Sequence, residues 1–284
     1  MKVAQANMNK AISIIFLTCT GVFGIARMLD AESGAKLTER QDTYVLIVSG
    51  ISKDPNERLA KDKAVMNLRK FFLDDAKVES SRLSVLVDSS SSVRKDSKKS
   101  TAENLKKTLN TLAGAIKPTD RFIFYYVGQA NVVVETLRLN LPGEDITHKQ
   151  LAEWINKIKA SSVLVVLDCP GAGLAAKAMR GKGRIVVCGS KSDQRYSTRF
   201  SQYFIGALID IKSDSDGDNK VSLLEAFTFA AREIDDFYRK QHLLTTETPV
   251  LEDNGDGVPS QQPWRYKDDN KDGLAASKFF FLSE

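Results

Sequence analysis

Two side chains of chemical interest lie directly after apolar runs. Cys169 follows SVLVVLD and precedes Pro170 and several small residues, and Gln129 follows RFIFYYVG. The dipole at the start of a helix lowers the pKa of a nearby thiol, which makes Cys169 a candidate nucleophile. Lone cysteines are more often buried structural residues, so this position alone leaves both interpretations open.

A second group of residues has the spacing of a calcium-binding EF-hand loop, in the segment DSDGDNKVSLLE. Ca²⁺ prefers several oxygen ligands at this spacing, with a bidentate carboxylate at position twelve. Asn219 stands at position six, where glycine is usual, and asparagine tolerates the left-handed backbone better than most residues do. We predict Ca²⁺ binding here; the alternative is an acidic loop that only starts a helix. The predicted ligands are Asp214, Asp216, Asp218, the Lys220 carbonyl, Ser222 and Glu225.

Two later acidic segments, EDNGDG at 252–257 and DDNKDG at 268–273, also offer oxygen atoms at short spacing. Neither has a glutamate at position twelve, and Asn-Gly and Asp-Gly pairs are common in turns. We therefore predict turns rather than metal sites at both segments.

Apolar runs separated by helical patterns organise the chain from residue 43 onward. Runs that are apolar on both faces and connected through helices are typical of a mainly parallel sheet covered on both sides. We predict an α/β fold, a three-layer α-β-α sandwich. Its strands should span 44–50, 82–88, 121–128, 162–168 and 184–189, and its helices 57–75, a segment from 101 onward, 147–158 and segments on both sides of the 214–225 loop.

Three of these predicted strands should place their polar ends together. Binding groups collect beyond the carboxyl ends of parallel strands. The ends at Gly128-Gln129, Asp168-Cys169 and Gly189-Ser190 should therefore form one site.

The motifs at these ends resemble the caspase and legumain-like cysteine peptidases. One strand ends in Tyr-Tyr-x-Gly, and the next ends in a form of Asp-x-Cys or Asp-Cys before small residues. The likeness is closer to bacterial secreted members of that superfamily, which share RFSQYF, SLLEAFTFA and LEDNGDG. The resemblance implies a caspase-like domain over 43–284, with a substrate pocket bordering the cysteine and fifth-strand ends. Candidate pocket residues are Ser190, Asp193 and Arg195.

In that family a histidine at the earlier strand end is the general base for the cysteine nucleophile. Here Gln129 occupies the histidine position while Cys169 is kept. A glutamine side chain does not take up a proton near neutral pH. General-base help is worth about 10²- to 10⁴-fold in rate, so the resemblance implies a catalytically impaired homologue.

No other histidine or cysteine restores the pair. His148 begins a predicted helix and His242 follows another, and we expect both on the surface. Cys188 lies at the end of a neighbouring strand, so a disulfide with Cys169 in an oxidising compartment is the alternative to two free thiols.

The N-terminus predicts export. Lys2 and Lys10 precede the apolar run AISIIFLTCTGVFGIA, which is typical of a signal peptide over 1–31 with cleavage near Ala26 or Ala31. The protein would then be secreted or periplasmic. The run is shorter than the ~20 apolar residues that usually span a membrane, so an uncleaved membrane anchor is the alternative.

Composition narrows the classes of partner. The net charge of +5 is scattered, and the basic run RKDSKK at 94–99 accompanies no nucleic-acid-reading motif, so no nucleic-acid partner is predicted.

Three functional hypotheses follow from these observations. The first is a secreted pseudo-peptidase stabilised by Ca²⁺ that binds a peptide or protein ligand, and the second is an active cysteine hydrolase using Cys169 without histidine. The third, a flavodoxin-like domain, lacks a Gly-rich phosphate loop after the first strand. The sequence indicates no oligomeric state.

Overall fold

A computed structural model describes residues 41–88, 91, 93, 97–265 and 271–282. The predicted signal peptide at 1–31 lies outside the described residues. Within them the strands are β1 (Thr43–Ser49), β2 (Leu83–Val87), β3 (Lys98–Lys99), β4 (Arg121–Val127), β5 (Ala130–Val133), β6 (Thr136–Leu139), β7 (Ile146–Thr147), β8 (Ser162–Asp168), β9 (Arg184–Cys188) and β10 (Val250–Glu252). The α-helices are α1 (Pro55–Lys70), α2 (Ala102–Ala115), α3 (His148–Ile155), α4 (Ala176–Met179), α5 (Phe200–Ala207) and α6 (Leu223–Lys240).

The main sheet has the strand order β10-β9-β8-β4-β1-β2-β3, and every neighbouring pair is parallel except β10 with β9. Its register places Ser49, Val127 and Asp168 side by side at the carboxyl edge. A second, antiparallel sheet, β5-β6-β7, follows directly from that edge. The predicted α/β fold with a mainly parallel sheet is confirmed.

Helices cover both faces, which completes the three layers. Side chains alternate along each strand, so Tyr125 faces the apolar cluster that includes α1, α5 and α6 residues, whereas Tyr126 faces the cluster with α2, α3 and α4 residues. Both tyrosines are fully buried.

Local signals set where the helices begin. Asp54 caps α1, because its side chain accepts hydrogen bonds from the backbone N–H groups of Asn56 and Glu57. The capping box predicted for α3 is present, with Thr147 and Gln150 bonded reciprocally. A π-helical turn, Phe71–Asp75, continues α1 to the end of the predicted segment.

The exposure of three side chains can be compared with their sequence patterns, and two of them differ from expectation. His148 was expected on the surface but is buried, and its Nδ1 accepts the backbone N–H of Leu137, in the middle strand of the small sheet, at 3.2 Å. His242, expected to be exposed, is exposed. Leu59 has the helical spacing of the buried Val65 and Leu68 but is 70% exposed. Among the described residues, no helix has both the length and the apolar character needed to cross a bilayer.

Candidate functional site

A cleft of about 1040 Å³ opens at the carboxyl ends of β4 and β8, on the face of the sheet covered by α1, α5 and α6. Gln129 and Asp168 line it, as do side chains from the first turns of α1. We call it the Gln129 cleft. Its volume is that of a small-molecule or peptide side-chain pocket.

Gln129 is held in this cleft by a closed hydrogen-bond network. Its Nε2 donates to Glu57 Oε2 at 2.7 Å and to Ser197 Oγ at 2.8 Å. Ser197 Oγ in turn donates to Glu57 Oε1, and Ser52 Oγ donates to Glu57 Oε2 at 3.0 Å. Both amide hydrogens of Gln129 are therefore engaged. An amide does not take up a proton near neutral pH, so this side chain cannot serve as a general base.

The strand geometry that presents Gln129 depends on a close approach of two backbones. A Cβ at Gly128 would lie 2.8 Å from the Gly50 Cα, closer than real side chains come. The Tyr126 hydroxyl donates to the Gln129 carbonyl at 2.7 Å from the other face. These contacts fix the backbone of Gln129 between β1 and the small sheet.

Asp168 is the residue of the β8 end that shares this face with Gln129. Its Oδ2 accepts hydrogen bonds from the Ser201 backbone N, at 2.9 Å, and from Ser201 Oγ, while Oδ1 accepts from Thr198 Oγ1. Burial raises the pKa of Asp168, although the hydrogen bonds from Ser201 and Thr198 oppose that shift. The carboxylate anchors the start of α5.

Cys169 points to the opposite face of the sheet. Its side chain is fully buried in the cluster with α2, α3 and α4 residues, and both it and Cys188 are free thiols, so the alternative disulfide is absent. Burial raises the pKa of the Cys169 thiol well above its ordinary value, and the charges of Asp168 and Cys188 raise it further. The exposed, acidified thiol considered from the sequence is not formed.

The three candidate pocket residues after β9 do not line the Gln129 cleft. Ser190 is buried, and its Oγ donates to the Cys169 carbonyl at 2.9 Å. Asp193 and Arg195 are exposed. The residues of this loop that do line the cleft are Tyr196, Ser197, Thr198 and Arg199.

Glu247 is a buried carboxylate next to the cleft that sequence reasoning missed. Its Oε2 accepts the Arg199 backbone N–H at 2.6 Å, and its Oε1 accepts the Tyr238 hydroxyl at 3.2 Å. Burial raises its pKa to about 7, although the Arg199 backbone hydrogen bond opposes that shift. Glu57 and Ser197 were missed as well, because no local motif marks them. The one sequence signal for Glu57 is its position in the first turn of a helix, just after the Asp54 cap.

Exposed apolar side chains surround this polar floor. They come from α1, from the loop after β9 and from the segment after α6. Exposed apolar groups gathered at one cleft indicate a binding surface. They are Leu59 (70% exposed), Tyr196 (66%), Leu243 (55%) and Leu244 (88%).

The predicted calcium loop brings three aspartate side chains close together. Carboxylate oxygens of Asp214, Asp216 and Asp218 lie within 4.8 Å of one another. Asn219 has φ of 65°, the left-handed conformation expected at position six. Glu225 Oε1 reaches back to accept the backbone N–H groups of Ser215, at 2.7 Å, and Asp216, at 3.3 Å.

The remaining predicted ligands also belong to this loop. Ser222 caps α6 and forms a capping box with Glu225, and the backbone N–H of Lys220 donates to Asp218 Oδ1 at 2.8 Å. Burial raises the pKa of Glu225, but hydrogen bonds from Ser222 and Ser215 outweigh it and hold the pKa below its ordinary value. A charged Glu225 fits a cation ligand, and the oxygen-only donor set fits Ca²⁺.

Neither a known family profile nor a curated protein matches this chain.

Proposed function

We propose that this chain is a secreted homologue of the caspase and legumain-like cysteine peptidases that binds a peptide or protein segment without cleaving it. The observation that carries the proposal is the separation of its reactive groups. Gln129 lies in the cleft with its amide hydrogens engaged, whereas Cys169 is buried on the other face of the sheet. A nucleophile and its base must lie within hydrogen-bond reach of each other.

The cleft supports a binding role. The floor offers the Glu57 carboxylate and the hydroxyls of Ser52 and Ser197, and the rim offers exposed leucine and tyrosine side chains. A few fixed polar groups with apolar walls are typical of ligand sites. The proposed ligand is an extended peptide segment with apolar side chains.

The proposal includes Ca²⁺ in the 214–225 loop. The loop lies between α5 and α6, and α6 supplies Glu225 from its first turn. Bound Ca²⁺ would neutralise the clustered carboxylates and tie the start of α6 to the loop.

A peptide-binding measurement tests this function. The purified protein is titrated against a library of fluorescent peptides, and each peptide is examined for cleavage by mass spectrometry. We expect peptides that bind and remain intact. Leu244→Asp should weaken binding by about tenfold or more, because it places a charge on the apolar rim.

Val134→Asp is the matched control, since Val134 is 91% exposed and does not line the cleft. Equal loss of peptide binding in both variants would show that the peptide does not bind in the cleft. Peptide cleavage that disappears in Cys169→Ala would instead support an active cysteine hydrolase.

A further inference from the structure

The segment 252–258, which we call the second acidic loop, is folded like the calcium loop at 214–220. Asp214 accepts backbone hydrogen bonds from the residues three and five positions ahead, Gly217 at 2.7 Å and Asn219 at 2.9 Å. Glu252 Oε1 accepts from the residues at the same two offsets, Gly255 at 2.6 Å and Gly257 at 3.2 Å. The first position of each loop therefore makes the same contacts.

The next two ligand positions also correspond. Asp216 and Asp218 each accept the backbone N–H two residues ahead, at 3.2 Å and 2.8 Å. Asn254 and Asp256 do the same, at 2.8 Å and 2.6 Å. Positions four and six are left-handed in both loops, with φ values of 78° and 65° in the first and 86° and 80° in the second.

In the second acidic loop, the carboxylate that corresponds to position twelve comes from another part of the chain. In the calcium loop, Glu225 Oε1 accepts the backbone N–H groups of positions two and three, at 2.7 Å and 3.3 Å. In the second acidic loop, Asp272 Oδ1 accepts those of Asp253, at 2.9 Å, and Asn254, at 3.4 Å. Asp272 thus stands where Glu225 stands, although it lies 19 residues after Asp253.

The separate segment that carries Asp272 is fastened by Asp253. The carboxylate of Asp253 accepts the backbone N–H groups of Gly273, at 2.8 Å, and Ala276, at 2.7 Å. Asp253 therefore points away from the loop interior and has a structural role, while Asp272 points towards it.

An independent observation indicates that a ligand completes this loop. Glu252 is fully buried, and its Oε2 accepts no hydrogen bond from any of the described residues. Its other oxygen, Oε1, accepts the backbone N–H groups of Gly255 and Gly257, so the carboxylate group lies against the loop. Burial lowers the pKa of Arg184 and the charge of Glu252 opposes that shift, but no ion pair joins the two side chains among the described residues. Buried carboxylates are normally paired or bound to a metal.

We propose that Glu252, Asn254, Asp256 and Asp272 form a second, discontinuous Ca²⁺ site. Three carboxylates and an amide oxygen are the hard oxygen donors that Ca²⁺ takes in a flexible shell, whereas Mg²⁺ demands a stricter octahedron. The site is independent of the proposed peptide-binding function and of the 214–225 loop. The turn predicted at 252–257 is present, and the missing position twelve is filled by the tertiary structure.

Calcium stoichiometry tests the proposal. The purified, chelator-treated protein is titrated with Ca²⁺ by calorimetry, with and without Mg²⁺. We expect two Ca²⁺ per chain in the wild type. Asp272→Asn should lose one of them or bind it about tenfold or more weakly, because asparagine keeps the backbone hydrogen bonds but removes a ligand charge. Glu225→Gln should affect only the other ion, so failure at one loop is distinguishable from failure at the other.

Asp193→Asn is the matched control, with the same charge change on an exposed carboxylate outside both loops, and it should still bind two ions. Unchanged stoichiometry in Asp272→Asn would overturn the proposal, as would equal losses in Asp193→Asn and Asp272→Asn. If Asp272→Asn does not fold, as judged by circular dichroism in chelator, the exposed Asp256→Asn variant takes its place with the same expected loss.

Discussion

Cys169 and Gln129, the residues at the proposed positions of a nucleophile and its base, lie on opposite faces of the sheet. Cys169 continues the alternation of β8 to the side opposite Asp168, and Gln129 shares the side of Asp168. Chain order placed Gln129 and Cys169 at neighbouring strand ends, but alternation decides which face each one occupies. A histidine at position 129 alone would still lack a nucleophile within reach.

At this scale we predict that Cys169 and Cys188 do not react in the folded protein. Burial raises the pKa of Cys169 well above its ordinary value and that of Cys188 to about 12, so little thiolate forms and reagents have no access. Iodoacetamide at pH 8 should label both at least about a hundredfold more slowly than in urea. Labelling followed by peptide mapping measures this. Rapid labelling of native Cys169, with Cys188 protected, would contradict the burial of the β8 end.

At the scale of elements, the start of α6 joins two functions in one carboxylate. Glu225 completes the capping box with Ser222 and also reaches back to the acidic loop. A helix start and a predicted cation site are therefore coupled, so an ion that binds Glu225 also holds the first turn of α6. In the second acidic loop, Asp272 from a distant segment accepts the backbone N–H groups of the two corresponding positions.

For this element we predict a Ca²⁺-dependent gain in stability that requires Glu225. At free Ca²⁺ of 100 times the dissociation constant, binding to the folded state alone adds about 2.7 kcal/mol to the free energy of unfolding. Glu225→Gln keeps the capping box, because glutamine serves equally at that position, but removes the charge. Thermal unfolding with Ca²⁺ and with chelator should show a rise in Tm for the wild type and a smaller rise for the variant. Identical rises would exclude Glu225 as a ligand.

At the scale of the whole molecule, Glu247 connects three parts of the fold. It binds the loop after β9 through Arg199, it binds α6 through Tyr238, and it belongs to the segment that leads to β10. Thr246, its neighbour, also contacts the Tyr238 hydroxyl at 2.7 Å and lines the Gln129 cleft. The state of this buried carboxyl therefore affects the wall of the cleft and the stability of the sheet edge.

We predict that stability falls as pH rises between about 4.5 and 7. Burial raises the pKa of Glu247 from 4.5 to about 7, so the folded state keeps a proton that the unfolded chain releases in this range. Its contribution is complete below about 4.5 and is lost as pH rises through 7, by about 3 kcal/mol at most. Asp272, with a pKa of about 6, acts in the same direction.

The difference between wild type and Glu247→Gln isolates the Glu247 contribution. Urea unfolding at pH 5, 6, 7 and 8 gives the free energy of unfolding for each protein. The wild type should lose more stability than the variant between pH 5 and 7. Parallel curves for the two proteins would show that Glu247 does not titrate in this range.

The sequence by itself determined five strands of the main sheet, most helices and the three-layer arrangement, because periodicity and caps are local properties, whereas it did not predict β3, β10 or the small sheet. Local patterns of this kind predicted the apolar runs that form β1, β4, β8 and β9, the Thr147 cap and the left-handed conformation of Asn219. The spacing of the 214–225 loop was readable for the same reason, since all its ligand positions lie in one continuous segment.

Only the tertiary structure decided which side chains share a site. Packing between distant segments decides three features of the sites. It sets the face on which Cys169 lies, joins Glu57 to Gln129 across 72 residues, and places Asp272 against the second acidic loop. Burial then set the protonation of Glu247 and left one oxygen of Glu252 without a hydrogen bond from the described residues. Such contacts leave no periodic or local trace in the chain, because their partners come together only when the sheet and its two layers of helices are assembled.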